Sequence, residues 1–200
     1  MDGFAKNLLT ASFHGSILIL VVLVIRLVLW KTPKKYICLL WLLAGIRLLL
    51  PIELRSDLSL QPRFALPRLP EGSWRIWGLC LWAVIAGGFG VYSLISYCRL
   101  KNRVREAVRI RGGWESDRID TAFILGFVKP RILIPMGMSN QSRRYILAHE
   151  RTHLDKGDHW IKMIGFLALA LHWFNLLVWV AYICLCKDIE MACDERVVRF

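Results

Sequence analysis

The chain has 200 residues, 56% of them hydrophobic, and its mean hydropathy of +0.45 is too high for an ordinary soluble domain. Its net charge of +12 would suit a nucleic-acid ligand, but the positive residues cluster at the ends of apolar runs, as they do in membrane proteins. We therefore expect contacts with membrane lipid and no direct binding of nucleic acid. The six cysteines lack zinc-finger spacing and are expected to be reduced.

Three apolar runs predict three transmembrane helices. Residues 7–25 and 76–98 carry no charged side chain, and each run is long enough to span a bilayer. The second run, 36–52, is shorter and contains Arg47, which we expect to extend to the membrane interface. The first run continues to Trp30 without a cleavage site, so it is predicted to be an anchor and not a signal peptide.

The charged segments between these runs predict the orientation of the chain. Segments 26–35 and 99–111 are rich in Lys and Arg, whereas the loop 53–73 has no net charge. Because basic flanks stay on the cytoplasmic side, the N-terminus and this loop are predicted to lie outside the cell. The expected organisation is a three-helix transmembrane anchor over 1–98 and a domain facing the cytoplasm over 99–200.

Residues 119–135 are predicted to form a β-hairpin. Segments 121–125 and 131–134 are rich in strand-forming residues, and Gly126 and Pro130 mark the bend. The hairpin either offers an exposed edge to which an extended peptide substrate adds itself, or forms a small sheet that only packs on the next helix. The residues alone do not decide between these two interpretations.

A helix is predicted for residues 141–156. Ser139 and Asn140 are favourable N-cap residues, the segment contains no Pro or Gly, and Gly157 is a typical residue just after a helix end. The helix is therefore expected to be well defined at both ends.

This helix contains the H-E-x-x-H pattern at His149, Glu150 and His153. Residues four apart lie on one face of a helix, so the two imidazoles are placed to bind one Zn²⁺ together. Glu150 is placed to hold a water molecule and act as a general base. The alternative is a surface helix that carries two histidines by chance.

Residues 161–186 are almost entirely apolar and allow two paths for the chain. Zinc bound by two histidines needs a third protein ligand, which is commonly a carboxylate in hydrolytic sites, and Glu190 follows this run. If the run crossed the bilayer, Glu190 would lie on the wrong side. If it doubles back near His172 and Asn175 as a re-entrant or interfacial helical hairpin, Glu190 returns to the zinc helix.

Four motifs occur in a fixed order. They are F-x-x-G-x-x-x-P-x-I-x-x-P over 123–135, H-E-x-x-H-x-x-x-x-D over 149–158, H-W-F-N over 172–175 and D-x-E-x-x-C-D-E over 188–195. Together they resemble the membrane-embedded zinc metallopeptidase domain of the β-lactam sensor-transducers of the BlaR/MecR type. The resemblance extends over almost the whole chain, from the three predicted spans to the last motif.

The resemblance implies a mainly α, polytopic protein of the bacterial cell membrane with a gluzincin-like zinc protease core. It implies a zinc metalloendopeptidase of a signalling system for antibiotic resistance, which cleaves a cytoplasmic transcriptional repressor and also itself. The implied zinc ligands are His149, His153 and Glu190, and the implied general base is Glu150. Asp158 and Asp194 are the implied carboxylates that orient the ligands.

The sequence departs from the family pattern in two ways. Leu176 stands where the family has Pro after H-W-F-N, which weakens the expected turn. Family sensors also continue into an extracellular penicillin-binding domain, and these 200 residues contain no S-x-x-K motif, so β-lactam sensing is not expected from them. Two alternative functions stay open, a CAAX-type or quality-control membrane zinc protease and a non-catalytic membrane signalling scaffold. The sequence is compatible with a homo-oligomer.

Overall fold

The computed structural model describes residues 2–29, 32–50, 74–126 and 129–197, and the predicted extracellular loop 53–73 lies outside these described residues. The described part is mainly helical, as predicted, with one small sheet. Its helices are α1 (Asp2–Val28), α2 (Lys34–Leu49), α3 (Trp74–Arg103), α4 (Asn140–Lys156), α5 (Asp158–Leu171) and α6 (Leu176–Val197). Its strands are β1 (Val108–Ile110), β2 (Gly113–Ser116), β3 (Phe123–Leu125) and β4 (Arg131–Pro135).

Two of the helices are long and apolar enough to cross a membrane. Within the described residues, these segments are Phe4–Val28 of α1 and Ile76–Arg103 of α3, which include the predicted runs 7–25 and 76–98. Helix α2 has 16 residues. At 1.5 Å per residue it is about 24 Å long, shorter than a hydrocarbon core of about 30 Å. The third membrane span therefore stays a prediction.

Helices α1, α2, α5 and α6 share one hydrophobic core. Its centre includes Ile19 of α1, Trp41 of α2, Leu169 of α5 and Leu185 of α6, all of them buried. Inside a bilayer such packing is stabilised by close van der Waals contact, because lipid tails are as apolar as these side chains. Gly165 lets α5 approach α6 closely, because a Cβ atom there would lie 2.7 Å from Leu185 Cδ2. The candidate site at the ends of these helices thus rests on a packed bundle.

The chain turns back between α5 and α6 at residues 172–175, which confirms the predicted doubling-back. The turn is held by the N-terminal helices. Asn175 Nδ2 donates hydrogen bonds to Ser12 Oγ at 2.8 Å and Ser16 Oγ at 2.7 Å, and His172 Nε2 lies 3.2 Å from the Leu48 carbonyl oxygen. His172 is fully buried there and has a structural role.

A part-buried ion pair fixes the middle of α6. Both Asp188 carboxylate oxygens accept from Arg26 Nε, at 3.1 and 2.9 Å, and Oδ2 also accepts from Trp41 Nε1 at 2.8 Å. The Asp188 side chain is fully buried and that of Arg26 is 24% exposed. Helices α1, α2 and α6 are therefore joined two residues before Glu190.

Replacing Arg26 with methionine is expected to destabilise the fold by about 3–5 kcal/mol, because Asp188 would remain buried without its cation. The expected result is a lowered thermal unfolding midpoint of the purified protein in detergent. Arg111→Met, at an exposed position between β1 and β2, is the control. The double variant Arg26→Met/Asp188→Leu should recover part of the loss. Equal midpoints for the Arg26 and Arg111 variants would contradict this account of the pair.

The predicted β-hairpin is present but is only part of the sheet. Strands β3 and β4 pair antiparallel, with Ile124 opposite Ile132, and Gly126 adopts a φ of +105° at the bend. The sheet has the order β1-β2-β4-β3, so the prediction of a simple hairpin was incomplete. Strand β2 pairs parallel with β4, and β3 lies at one edge. Arg143 joins the sheet to α4 through a 2.8 Å ion pair with Glu115.

Helix α4 has the predicted ends. Ser139 Oγ accepts from the Ser142 N–H at 3.1 Å, and Gly157 ends the helix at a φ of +69°, where its N–H bonds to carbonyls of the last turn. A left-handed residue at this position is typically Gly. Because α5 begins directly at Asp158, the last turn of α4 and the first turn of α5 lie side by side.

Candidate metal centre

Three pairs of polar side chains, each spaced four residues apart on one helix, lie at the centre of the candidate site. This spacing puts both members of a pair on one helix face. The pairs are His149 and His153 on α4, Asp158 and Lys162 on α5, and Glu190 and Asp194 on α6. The turn at residues 172–175 is what returns α6 to α4, so the structure brings together all of the predicted ligands.

Three donor atoms lie at mutual distances that suit a tetrahedral zinc site. His149 Nε2 and His153 Nε2 are 3.3 Å apart. Glu190 Oε2 is 3.3 Å from His153 Nε2 and 3.7 Å from His149 Nε2. Zinc bonds of about 2.0–2.1 Å at tetrahedral angles separate the ligand atoms by about 3.3 Å. The chemistry and the spacing of this donor set therefore fit zinc.

The second nitrogen of each histidine faces a carboxylate. His153 Nδ1 lies 2.6 Å from Asp158 Oδ2, and both side chains are buried. His149 Nδ1 lies 3.4 Å from Asp194 Oδ1, a longer and weaker contact at a more exposed position. A carboxylate that accepts the Nδ1 proton leaves the Nε2 lone pair free to bind a metal. The predicted orienting role of Asp158 and Asp194 is consistent with these positions.

The shared environment of the site raises or lowers the pKa of three ionisable groups. Burial raises the pKa of Glu150, against the opposing influence of the two neighbouring imidazoles. Burial lowers the pKa of His153, but the hydrogen bond to Asp158 and the Glu190 charge outweigh it, and the net shift is upward. Burial also opposes ionisation of Glu190, but Lys162 and the two neighbouring imidazoles together outweigh it, so the pKa of Glu190 is lowered. Glu190 thus stays an anion, as a metal ligand must.

Cys193 lies at the site although the sequence analysis gave it no role. Its Sγ is 3.7 Å from His149 Nδ1 and 3.4 Å from the His149 carbonyl oxygen, and His149, His153 and Cys193 offer ligand atoms within 4.8 Å of one another. Burial raises the pKa of Cys193 to about 11, so the thiol is neutral near pH 7. The shorter distances within the set that includes Glu190 favour the carboxylate as third ligand. Cys193 follows Glu190 by three residues and so lies on the same helix face, and this spacing was the sequence signal that could have placed it at the site.

Replacing Asp158 with asparagine is expected to weaken zinc binding by about 10–100-fold, because the hydrogen bond that orients His153 Nδ1 loses its charge. The measurement is chelator competition on the purified full chain. Asp155→Asn is the control, since Asp155 lies only three residues earlier, in the last turn of α4, but contacts Arg151 at 3.7 Å and is 55% exposed. Equal zinc affinities for the two variants would show that Asp158 does not orient His153 for metal binding.

Comparisons with known proteins give one family and one group of relatives. Residues 70–200 match the sequence profile of the family described as BlaR1 peptidase M56. Proteins named "Methicillin resistance mecR1 protein" from Staphylococcus aureus strain Mu50, S. aureus and S. epidermidis are each 26% identical over 88 residues. That alignment covers 42% of this chain and 15% of the length of each relative.

Proposed function

Because the chain belongs to the BlaR1 peptidase M56 family, we propose that it is a membrane zinc metalloendopeptidase of a signalling system, which hydrolyses peptide bonds in a cytoplasmic transcriptional repressor and in itself. The observation that carries the proposal is the convergence of His149, His153 and Glu190 at zinc-like spacing next to Glu150. The gluzincin-like core and the choice of substrate are part of the proposal.

The side chains of the site divide the chemistry of hydrolysis among them. His149, His153 and Glu190 would hold the zinc ion, which would supply Lewis acidity towards the scissile carbonyl and lower the pKa of water. Glu150 accepts the proton of the attacking water and delivers it to the leaving amine. Burial raises the pKa of Glu150 towards the working pH, which suits a group that must both accept and release a proton.

The packing of α6 beside α1 supports a site that faces the cytoplasm. Asn175, directly before α6, bonds to Ser12 of α1, and Asp188 in the middle of α6 bonds to Arg26 near the C-terminal end of α1. Along α1 these two residues are about 21 Å apart, so a membrane-spanning α1 takes the α5–α6 hairpin deep into the bilayer. We assign this hairpin as re-entrant, with the Arg26 end and the metal centre on the cytoplasmic side and the N-terminus outside.

One experiment in membrane vesicles tests both the activity and the orientation. Cleavage of an added repressor of the family's type is expected in inside-out vesicles, with loss on treatment with a zinc chelator and recovery on addition of zinc. Right-side-out vesicles are expected to leave the repressor intact. Cleavage only in right-side-out vesicles would contradict the orientation, and cleavage of many unfolded proteins at many sites would favour a quality-control protease. Stoichiometric zinc without any cleavage would favour a signalling scaffold.

A further inference from the structure

Glu190 has two carboxylate oxygens, and they face different partners. Oε2 lies 3.3 Å from His153 Nε2, among the donor atoms of the candidate metal centre. Oε1 lies 2.8 Å from Lys162 Nζ, within hydrogen-bonding distance of the ammonium group. Among the residues that the structure describes, Lys162 is the only charged side chain in contact with Glu190 Oε1. The sequence analysis assigned it no role.

We propose that Lys162 is a positioning residue of the metal centre. By binding Oε1, it fixes the Glu190 carboxylate so that Oε2 faces the two histidines and binds the metal through a single oxygen. This inference rests on the proposed zinc site, because it assigns the group that orients the third ligand. It adds a cation to the two carboxylates that orient the histidines.

The position of Lys162 on α5 supports this role. Asp158 and Lys162 are four residues apart and therefore lie on one face of α5. Asp158 contacts His153 of α4 at 2.6 Å, and Lys162 contacts Glu190 of α6 at 2.8 Å. The first turns of α5 thus lie between the two helices that carry the ligands, and one face of α5 holds one ligand on each of them.

Glu190 needs such a partner more than the histidines do. Its side chain is 48% exposed, whereas that of His153 is 7% exposed and is held by packing as well as by Asp158. A glutamate side chain also has three rotatable bonds, so an exposed one samples many rotamers unless a contact selects one. Fixing the ligand before the metal binds raises affinity, because the ordering is already complete.

The direction in which zinc affinity changes distinguishes orientation of Glu190 from simple charge repulsion. Lys162 and a bound metal are both cations, so direct repulsion alone would make removal of the lysine strengthen metal binding. The Glu190 carboxylate lies between them, and the Lys162 side chain is 38% exposed, where solvent and salt screen the repulsion. We therefore expect the loss of orientation to dominate, so that removal of the lysine weakens binding.

The test measures zinc affinity of the purified full chain by chelator competition. Lys162→Met is expected to bind zinc about 10–100-fold more weakly, and Lys162→Arg is expected to restore most of the affinity. Lys101→Met is the matched control, because it removes the same charge from an exposed position at the end of α3. In a Glu190→Gln background, Lys162→Met is expected to cause little further loss, because the ion pair is already absent.

The possible results separate the inference from the proposed function. Unchanged or tighter zinc binding by Lys162→Met, with normal binding by wild type and Lys101→Met, would overturn the positioning role and leave the metal site intact. Failure of wild type to bind zinc stoichiometrically would overturn the proposed function and the inference with it. If Lys162→Met lowered zinc affinity as much in the Glu190→Gln background as in the wild type, the inference would also be overturned, because the lysine would then act without the carboxylate.

Discussion

Replacing Glu150 with glutamine is expected to lower the rate of peptide-bond hydrolysis by about 10²–10⁴-fold while zinc affinity stays close to wild type. General acid–base catalysis contributes rate factors of this size. Glutamine keeps the size and shape of the side chain but cannot accept the proton of the attacking water. Glu150 lies beside the donor set without being one of its three closest atoms, so its neutralisation should spare the metal.

The measurement combines single-turnover cleavage of a repressor substrate with zinc analysis of the same preparation. Glu106→Gln is the matched control, since Glu106 is 72% exposed, pairs with Arg118 and lies outside the metal centre. Cleavage by the Glu150 variant at a rate similar to the Glu106 variant would rule out Glu150 as the base. Loss of zinc from the Glu150 variant would instead make it a metal-binding residue.

The parts of the site that the sequence predicted are those that depend on local spacing. The ends of α4 follow from the capping preferences of Ser139 and Gly157, and the shared face of His149 and His153 follows from helical periodicity. The position of Asp158 was also within reach, because only Gly157 separates α4 from α5. These features depend on residues only a few positions apart, so a single sequence contains the information needed to predict them.

The features that the sequence did not predict depend on contacts between distant segments. Strands β1 and β2 are only three and four residues long, and β2 is stabilised by parallel pairing with β4 about twenty residues later. Short strands with mixed polarity give little periodic signal, and parallel pairing has no hairpin turn to mark it. Lys162 and Cys193 were missed for the same reason, because their contacts cross from one helix to another.

The return of Glu190 to α4 shows how local sequence information and contacts between distant segments combine. Asn175 indicated a turn from local chemistry, and the structure adds the reason why the turn is deep, since Asn175 bonds to Ser12 and Ser16 of α1. Farther along, in the middle of α6, Arg26 holds Asp188 two residues before Glu190. The predicted boundary between an anchor over 1–98 and a domain over 99–200 stays a prediction, although these contacts join the two parts closely.

Replacing Glu190 with alanine is expected to weaken zinc binding by more than about 100-fold and to abolish cleavage. The loss of an outer orienting group typically costs about 10–100-fold in metal affinity, and the loss of a direct ligand costs more. The variant removes the oxygen that lies 3.3 Å from His153 Nε2 and leaves two protein nitrogens. The measurement is chelator competition together with zinc analysis of the purified protein.

Glu195→Ala is the matched control for Glu190→Ala, because Glu195 lies on the same helix but accepts a hydrogen bond from the Lys34 N–H at the start of α2. Tight, stoichiometric zinc in the Glu190 variant would contradict both the third ligand and the single-oxygen role of its carboxylate. Cys193 is then the next candidate, because its Sγ and ligand atoms of His149 and His153 lie within 4.8 Å of one another. Loss of zinc from Cys193→Ser alone would assign the third position to that thiol, whose high pKa requires the metal to displace its proton.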